Sequence, residues 1–237
     1  SRKDFREAVR AARSAQSPWA SRTAYNRGQI LYRVAEMLES RKPEFLELLK
    51  SIGVNNRVAT REIEDSIQRL VWYAGWSDKY SQLLGSVNPV SGPYFNFTVP
   101  EPTGVVGIIA PTEPAMLGFI SRIAPAIVSG NTVVVVSEAQ SSLTSVTIAE
   151  VLVTSDVPAG VVNILTGDQT DLLPWMVGHL DVNAVDISGI SPKTDLTHLE
   201  EVASNVKRVV SRSVDEESLE LISDFLEMKT VWHPIGR

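Results

Sequence analysis

Few residues in this chain are able to do chemistry, and their spacing excludes more than it offers. With Cys 0 there is no thiolate nucleophile, no zinc thiolate site and no disulfide framework. His179, His198 and His233 stand apart, without a carboxylate or second histidine at metal-ligand spacing, so no metal site is expected. No serine sits in a Gly-x-Ser-x-Gly elbow. Asp181 and Asp186 bracket a short strand and read as its solvated ends rather than as an acid/base pair. Gly104 and Gly107 lack the third glycine of a dinucleotide fingerprint and fall within a strand, which points to packing.

The elements that would position any site follow from hydrophobic period. Phe5, Val9 and Ala12 mark one amphipathic helix, and Ile30, Leu31, Val34 and Leu38 a second that begins near Ser21. Pro43 opens a third helix, and Ile63, Ile67, Leu70, Val71 and Ala74 define a fourth that is expected to reach Leu84. Trp72, Tyr73 and Trp76 read as packing residues on these covering helices. Gly85 to Pro100 then changes to period two, with Phe95, Phe97 and Val99 on one side and Tyr94, Asn96 and Thr98 on the other.

The stretch from Glu101 to Ser137 reads as strand, loop, helix, turn and strand, the signature of a right-handed crossover in a parallel sheet. Further strands are expected at Gly160–Leu165, at Ala184–Ile187, and over Val206, Val209 and Val210. Helices are expected at Leu143–Val153, Leu172–Val177, Pro192–Ala203 and Asp215–Asp224. This alternation predicts an α/β fold with a doubly wound, mostly parallel Rossmann-like sheet.

At 237 residues and 43% hydrophobic the chain can bury a core as one domain, or as one domain with an appendage. Its net charge of -6 is unevenly spread. Between Ser81 and Ile190 the lone cation is Arg122, against Glu101, Glu113, Glu138, Glu150, Asp156, Asp168, Asp171, Asp181 and Asp186. A field of that sign opposes pyrophosphate and argues against a nucleic-acid partner. No run approaches a transmembrane span and the N-terminus is charged, so a cytoplasmic location without membrane partners is expected.

Four blocks in order resemble the nucleotide-binding domain of the aldehyde dehydrogenase superfamily: GVVGII, Pro111, APAIVSGNTVVVV and VPAGVVNILTGD. The helical segments QILYRVAEMLESRKPEFLELL and IEDSIQRLVWYAGWSDKY resemble its N-terminal portion, and FLEMKTVWHPIGR its C-terminal strand. In that family the strand after SNVKRVV leads into a catalytic domain. Here the chain passes almost directly to the C-terminal strand, so the resemblance implies that the catalytic domain is absent. Within the superfamily the chain resembles the degenerate C-terminal region of aldehyde dehydrogenase family 16, through Pro111-Thr112-Glu113, VVVVSEAQ and TSDVPAGVVNILTGD.

The resemblance also locates what has been replaced. Thiohemiacetal chemistry needs a thiolate, an oxyanion donor and a base. The family's oxyanion Asn aligns with Glu113, its base with Arg212, and its ribose-binding Lys and Glu with Val136 and Ala139. Glu138 stands one place early, turned away if a strand continues there. Ile190 takes the place of the Ser that opens a helix against the pyrophosphate, and Gly189 survives as a tight turn. No catalytic or cofactor-binding residue and no cofactor are therefore expected.

What the resemblance implies to be retained is an oligomerisation flap, residues 86–103 and 225–237, beside a nucleotide-binding-type domain, residues 1–85 and 104–224. Tyr94, Phe95, Phe97, Val99, Val231 and Trp232 are its expected interface residues, in a two-stranded hairpin. The partner would be a second copy, or the aldehyde dehydrogenase domain of the same polypeptide. Without the resemblance, the same segment could be an ordinary edge strand folded on its own core. The alternatives in other classes are a sensor that binds NAD(H) without reacting, or a residual NAD-dependent oxidoreductase domain.

Overall fold

The computed structural model describes residues 1–191, 194, 197 and 200–236. Four helices come first: α1 (Arg2–Ala20), α2 (Ala24–Ser40), α3 (Lys42–Ser51) and α4 (Asn56–Trp76). The second starts later than its apolar pattern alone suggests, because Thr23 Oγ1 accepts the Asn26 amide at 3.2 Å and caps it. Asn55 caps α4 in the same way through the Val58 amide.

The fourth helix stops at Trp76 rather than running on, and a separate turn, α5 (Tyr80–Leu84), follows. Ser77, just past the end of α4, packs against α2: a Cβ on Gly28 would lie 2.3 Å from Ser77 Oγ, so the serine fills the space the glycine leaves.

Residues 85–102 form two strands rather than one, β1 (Ser86–Asn88) and β2 (Tyr94–Pro102), which pair antiparallel. Next come β3 (Val105–Ile109), α6 (Ala115–Val128), β4 (Thr132–Ser137), a 3-10 turn at Ala139–Ser141 and α7 (Ser142–Thr154). The chain continues through β5 (Val162–Thr166), α8 (Gln169–Gly178), β6 (Ala184–Asp186), α9 (Glu200–Ser204), β7 (Arg208–Val210), α10 (Glu220–Ser223) and β8 (Leu226–Pro234).

The helix expected from Pro192 is described only over α9; Pro192 and His198 lie outside the described residues. Val206 is not in a strand: it is 91% exposed at a φ of 53°, in the turn before β7. The helix expected over Asp215–Asp224 is confined to α10. Gly104 precedes its strand at a φ of +132°, where an added Cβ would meet the Asn183 side chain.

Strands β5, β4, β3, β6 and β7 form a parallel sheet in that order, so the direction of winding reverses between β3 and β6. Period two divides the strands between two cores. Val105, Ile109, Val134 and Val136 meet Phe5, Val9, Leu172, Leu173 and Met176 of α1 and α8. Val106, Ile108, Val133 and Val135 meet the helices of the other face, with α6 buried along its whole length. Both faces are thus covered, as an all-parallel sheet requires. Among the described residues no helix is long and apolar enough to cross a membrane.

Candidate functional site

The carboxyl ends of β3, β4 and β6 converge on a crevice of about 370 Å³ at the reversal point, where open α/β sheets bind ligands. Thr112 and Glu113 enter it after β3, Glu138 after β4, and Ser188 to Ser191 after β6. Strand β4 ends at Ser137, so Glu138 is not turned away; it projects into this crevice. Its carboxylate accepts Gln169 Nε2 at 2.6 Å and Thr112 Oγ1 at 3.3 Å, while Gln169 Oε1 accepts the Ser191 amide at 3.2 Å. A belt of side-chain hydrogen bonds therefore crosses the crevice.

Two carboxylates, and among the described residues no cation, line the crevice. Val136 is buried in the sheet, and Ile190 packs against the α1/α8 core. These residues do not fit a pyrophosphate, which needs donors and positive field.

Gly189 is held by more than a turn. The Ile190 amide does close a turn onto Ile187 O at 3.0 Å, but an added Cβ on Gly189 would come within 2.3 Å of Ala110 C and 2.4 Å of Pro111 N. Two backbones touch there, and neither can withdraw as a flexible side chain would. Gly189→Ala is expected to lower stability by about 1–3 kcal/mol, the usual cost of overpacking, with the urea midpoint as the measurement.

Behind the crevice lies a charged cluster. Arg122 on α6 and Asp186 at the end of β6 are both fully buried, with Nη1 and Oδ2 3.9 Å apart. Asp186 is thus no solvated strand end. Burial pushes its carboxyl above the usual range, opposed by the Arg122 charge and the Ser188 hydrogen bonds. Oδ1 accepts the Ser188 amide at 2.9 Å, and Ser188 Oγ accepts from Arg122 Nη1 at 3.3 Å and from the Arg212 amide at 2.9 Å. Arg122 Nη2 donates to Ser213 O at 3.1 Å.

Arg69 on α4 completes the grip on the segment after β7. Its Nη1 donates to Val214 O and Glu216 O, and its Nε pairs with Glu217 at 3.1 Å. Arg212 forms a bidentate pair with Asp224 at 2.9 and 3.0 Å. The short passage from β7 to β8 is therefore fastened by three arginines. The signal for the buried pair was a charged residue inside the otherwise apolar run GFISRIAPAIV, which has to find a partner.

The six expected interface residues belong to a second sheet, of three strands in the order β1, β2, β8. In its register Phe95, Phe97 and Val99 pair with His233, Val231 and Lys229, and Asn96 pairs with Trp232. The pleat therefore brings Phe95, Phe97, Val99 and Val231 to one face, and Tyr94 and Trp232 to the other. Phe95 and Phe97 lie 5.4 Å apart between ring centroids, and Tyr94 meets Trp232 edge-on at 5.8 Å. Tyr94, Phe95, Val231 and Trp232 are 40–59% exposed.

Strand β1 covers the outer side of β2 over Asn96–Thr98, and the outer side of β8 is the long free edge of this sheet. Polar residues lock the register inside: Asn88 Nδ2 donates to Asn96 at 2.6 Å and to Thr98 at 3.1 Å, and the Thr98 and Thr230 hydroxyls meet at 2.9 Å.

Comparison with known proteins agrees with this architecture. The chain is 35% identical over 214 residues to cytosolic aldehyde dehydrogenase 1 of Elephantulus edwardii, covering 88% of this chain and 42% of that protein. It is 35% identical over 213 residues to omega-crystallin of Enteroctopus dofleini, with the same coverage. Among solved structures, an aldehyde dehydrogenase from Bacillus cereus in an NAD+ complex superposes with a TM-score of 0.80 at 29% identity, over 88% of this chain and 42% of that one. The chain thus spans under half the length of the relatives it matches, the part that includes the Rossmann-like sheet. Residues 1–212 match the model of the aldehyde dehydrogenase family, and the chain belongs to that family.

Proposed function

We propose that this chain is a non-catalytic aldehyde dehydrogenase scaffold that works by assembly, corresponding to the C-terminal region of a family 16 protein. The observation that carries this reading is the three-stranded flap, with aromatic side chains exposed on both faces and an uncovered edge along β8. Such a surface suits β-augmentation, with main-chain hydrogen bonds for affinity and side-chain pockets for specificity. The chemical positions support it from the other side. Glu113 cannot donate to an oxyanion while ionised, Arg212 is tied to Asp224, and no cysteine exists. The partner is a second copy or a complete aldehyde dehydrogenase domain of the same polypeptide. Sedimentation of the chain alone and mixed with such a domain tests this; a boundary that stays monomeric in both overturns it.

The second reading, an NAD(H) sensor, is favoured by the intact five-stranded order and its crevice at the reversal point. Calorimetric titration separates the two. Saturable NAD binding tighter than about 1 mM, about -4 kcal/mol, would support the sensor, and none is expected.

A further inference from the structure

Away from the crevice, α1 and α8 enclose a cleft of about 430 Å³, within the roughly 300–1,000 Å³ range of small-molecule sites. Arg2, Phe5 and Arg6 line it from α1; Pro174, Trp175 and His179 line it from the α8 side. The Arg2 guanidinium sits 4.5 Å above the Trp175 ring, and among the described residues no carboxylate pairs with it. Among the described residues no carboxylate lines the cleft.

Of the acids on these elements, Asp4 accepts the Ser1 hydroxyl at 2.8 Å, Glu7 pairs with Arg10 at 3.0 Å and Asp181 with Arg13 at 3.9 Å. Glu7 reaches Arg6 only at 3.8 Å, with both side chains largely in solvent. His179 Nδ1 accepts the Asp181 amide at 3.2 Å, which leaves the proton on Nε2 as a further donor. Phe5, 1% exposed, provides an apolar floor, and Trp175, 40% exposed, an apolar wall. In a chain of net charge -6, a concave surface with two arginines, a histidine donor and two aromatic rings stands out.

We propose that this cleft binds a small aromatic acid, a planar ring carrying a phosphate or carboxylate. Arg2 and Arg6 lie one helical turn apart and so can share one anion, a charge-assisted arrangement stronger than neutral hydrogen bonds. The ring of the ligand rests on the apolar surface of Trp175, Pro174 and Phe5. Pure anion capture would not need the aromatic walls, and pure stacking would not need two arginines, of which Arg6 holds only a loose, solvated pair with Glu7.

Calorimetric titration with phenyl phosphate, benzoate, phenol and inorganic phosphate tests the proposal. Phenyl phosphate or benzoate is expected to saturate, at least about tenfold tighter than phenol or phosphate, and the tighter of the two identifies the acid group. Arg6→Ala and Trp175→Ala should each weaken that binding by about tenfold or more, with the thermal midpoint confirming that both variants fold. Glu138→Gln should leave it unchanged, so failure here is distinct from failure of the crevice reading. Equal affinity in wild type and both variants, phosphate as tight as phenyl phosphate, or no saturation by either acid at about 10 mM would overturn it.

Discussion

Arg122→Met is expected to lower the unfolding free energy by about 3–5 kcal/mol at neutral pH, the range for removing one partner of a buried ion pair. Methionine fills much of the same volume, so the loss is chiefly electrostatic. It strands Asp186 without its cation at zero exposure, and Ser213 O loses its donor. Of a total stability of roughly 5–15 kcal/mol this is a large share.

The pH dependence gives the test its sign. The folded-state pKa of Asp186 lies above its ordinary value because burial outweighs Arg122, and removing Arg122 raises it further. A carboxyl whose folded pKa is raised contributes stability below its unfolded pKa and loses it as pH rises through the folded value. The deficit of the variant should therefore shrink as pH falls and Asp186 takes up a proton. Urea unfolding across that range is the measurement; a deficit under about 1 kcal/mol, or one indifferent to pH, would show the pair to be inert. Adding Asp186→Leu should recover much of the loss, since an apolar pair carries no desolvation cost.

The second large effect concerns assembly. Replacing Phe95 and Trp232 together by glutamate is expected to weaken association by about a thousandfold, about 2 kcal/mol for each aromatic anchor. Both side chains are substantially exposed, at 44% and 59%, so the isolated chain should change stability by no more than about 0.5 kcal/mol. Single replacements add information, because the pleat sends these two residues to opposite faces. Whichever variant dissociates identifies the face that meets the partner. Assembly unaltered in the double variant would end the interface reading.

The fold was legible where one physical signal dominated. Val133 to Val136 are β-branched and fully apolar, and they form a central strand buried on both faces. Helix ends were less legible: α4 ends at Trp76 although its apolar spacing suggests a longer helix, and Ser77 beyond it packs against Gly28, far away in sequence. The site differs from the sequence reading in two places, for two reasons: Asp186 reads as a solvated strand end, and Glu138 as turned away by a strand that in fact stops at Ser137. Asp186 is paired inside, and Glu138 is pinned by Gln169 and Thr112 once the strand ends before it. Asn131, in the turn between α6 and β4, is a junction that sequence alone does not mark. It accepts the Gly104 amide at 2.7 Å and donates to Phe225 O at 2.9 Å.

That junction sets how freely the flap can move. Strand β2 runs into β3 at Pro102–Thr103, and β8 leaves the core at Phe225–Leu226; the Thr103 amide donates to Phe225 O at 3.1 Å. Arg208 adds a clasp, with Nη1 on the Asp224 and Leu226 carbonyls at 2.9 and 2.6 Å. A ribbon tethered by one strand would swivel, whereas here, besides the entry from α5 into β1, two further covalent tethers bolted side by side make a bracket. Any protein seated on that bracket is held at a set angle to the parallel sheet, so torque from one body passes to the other without slack.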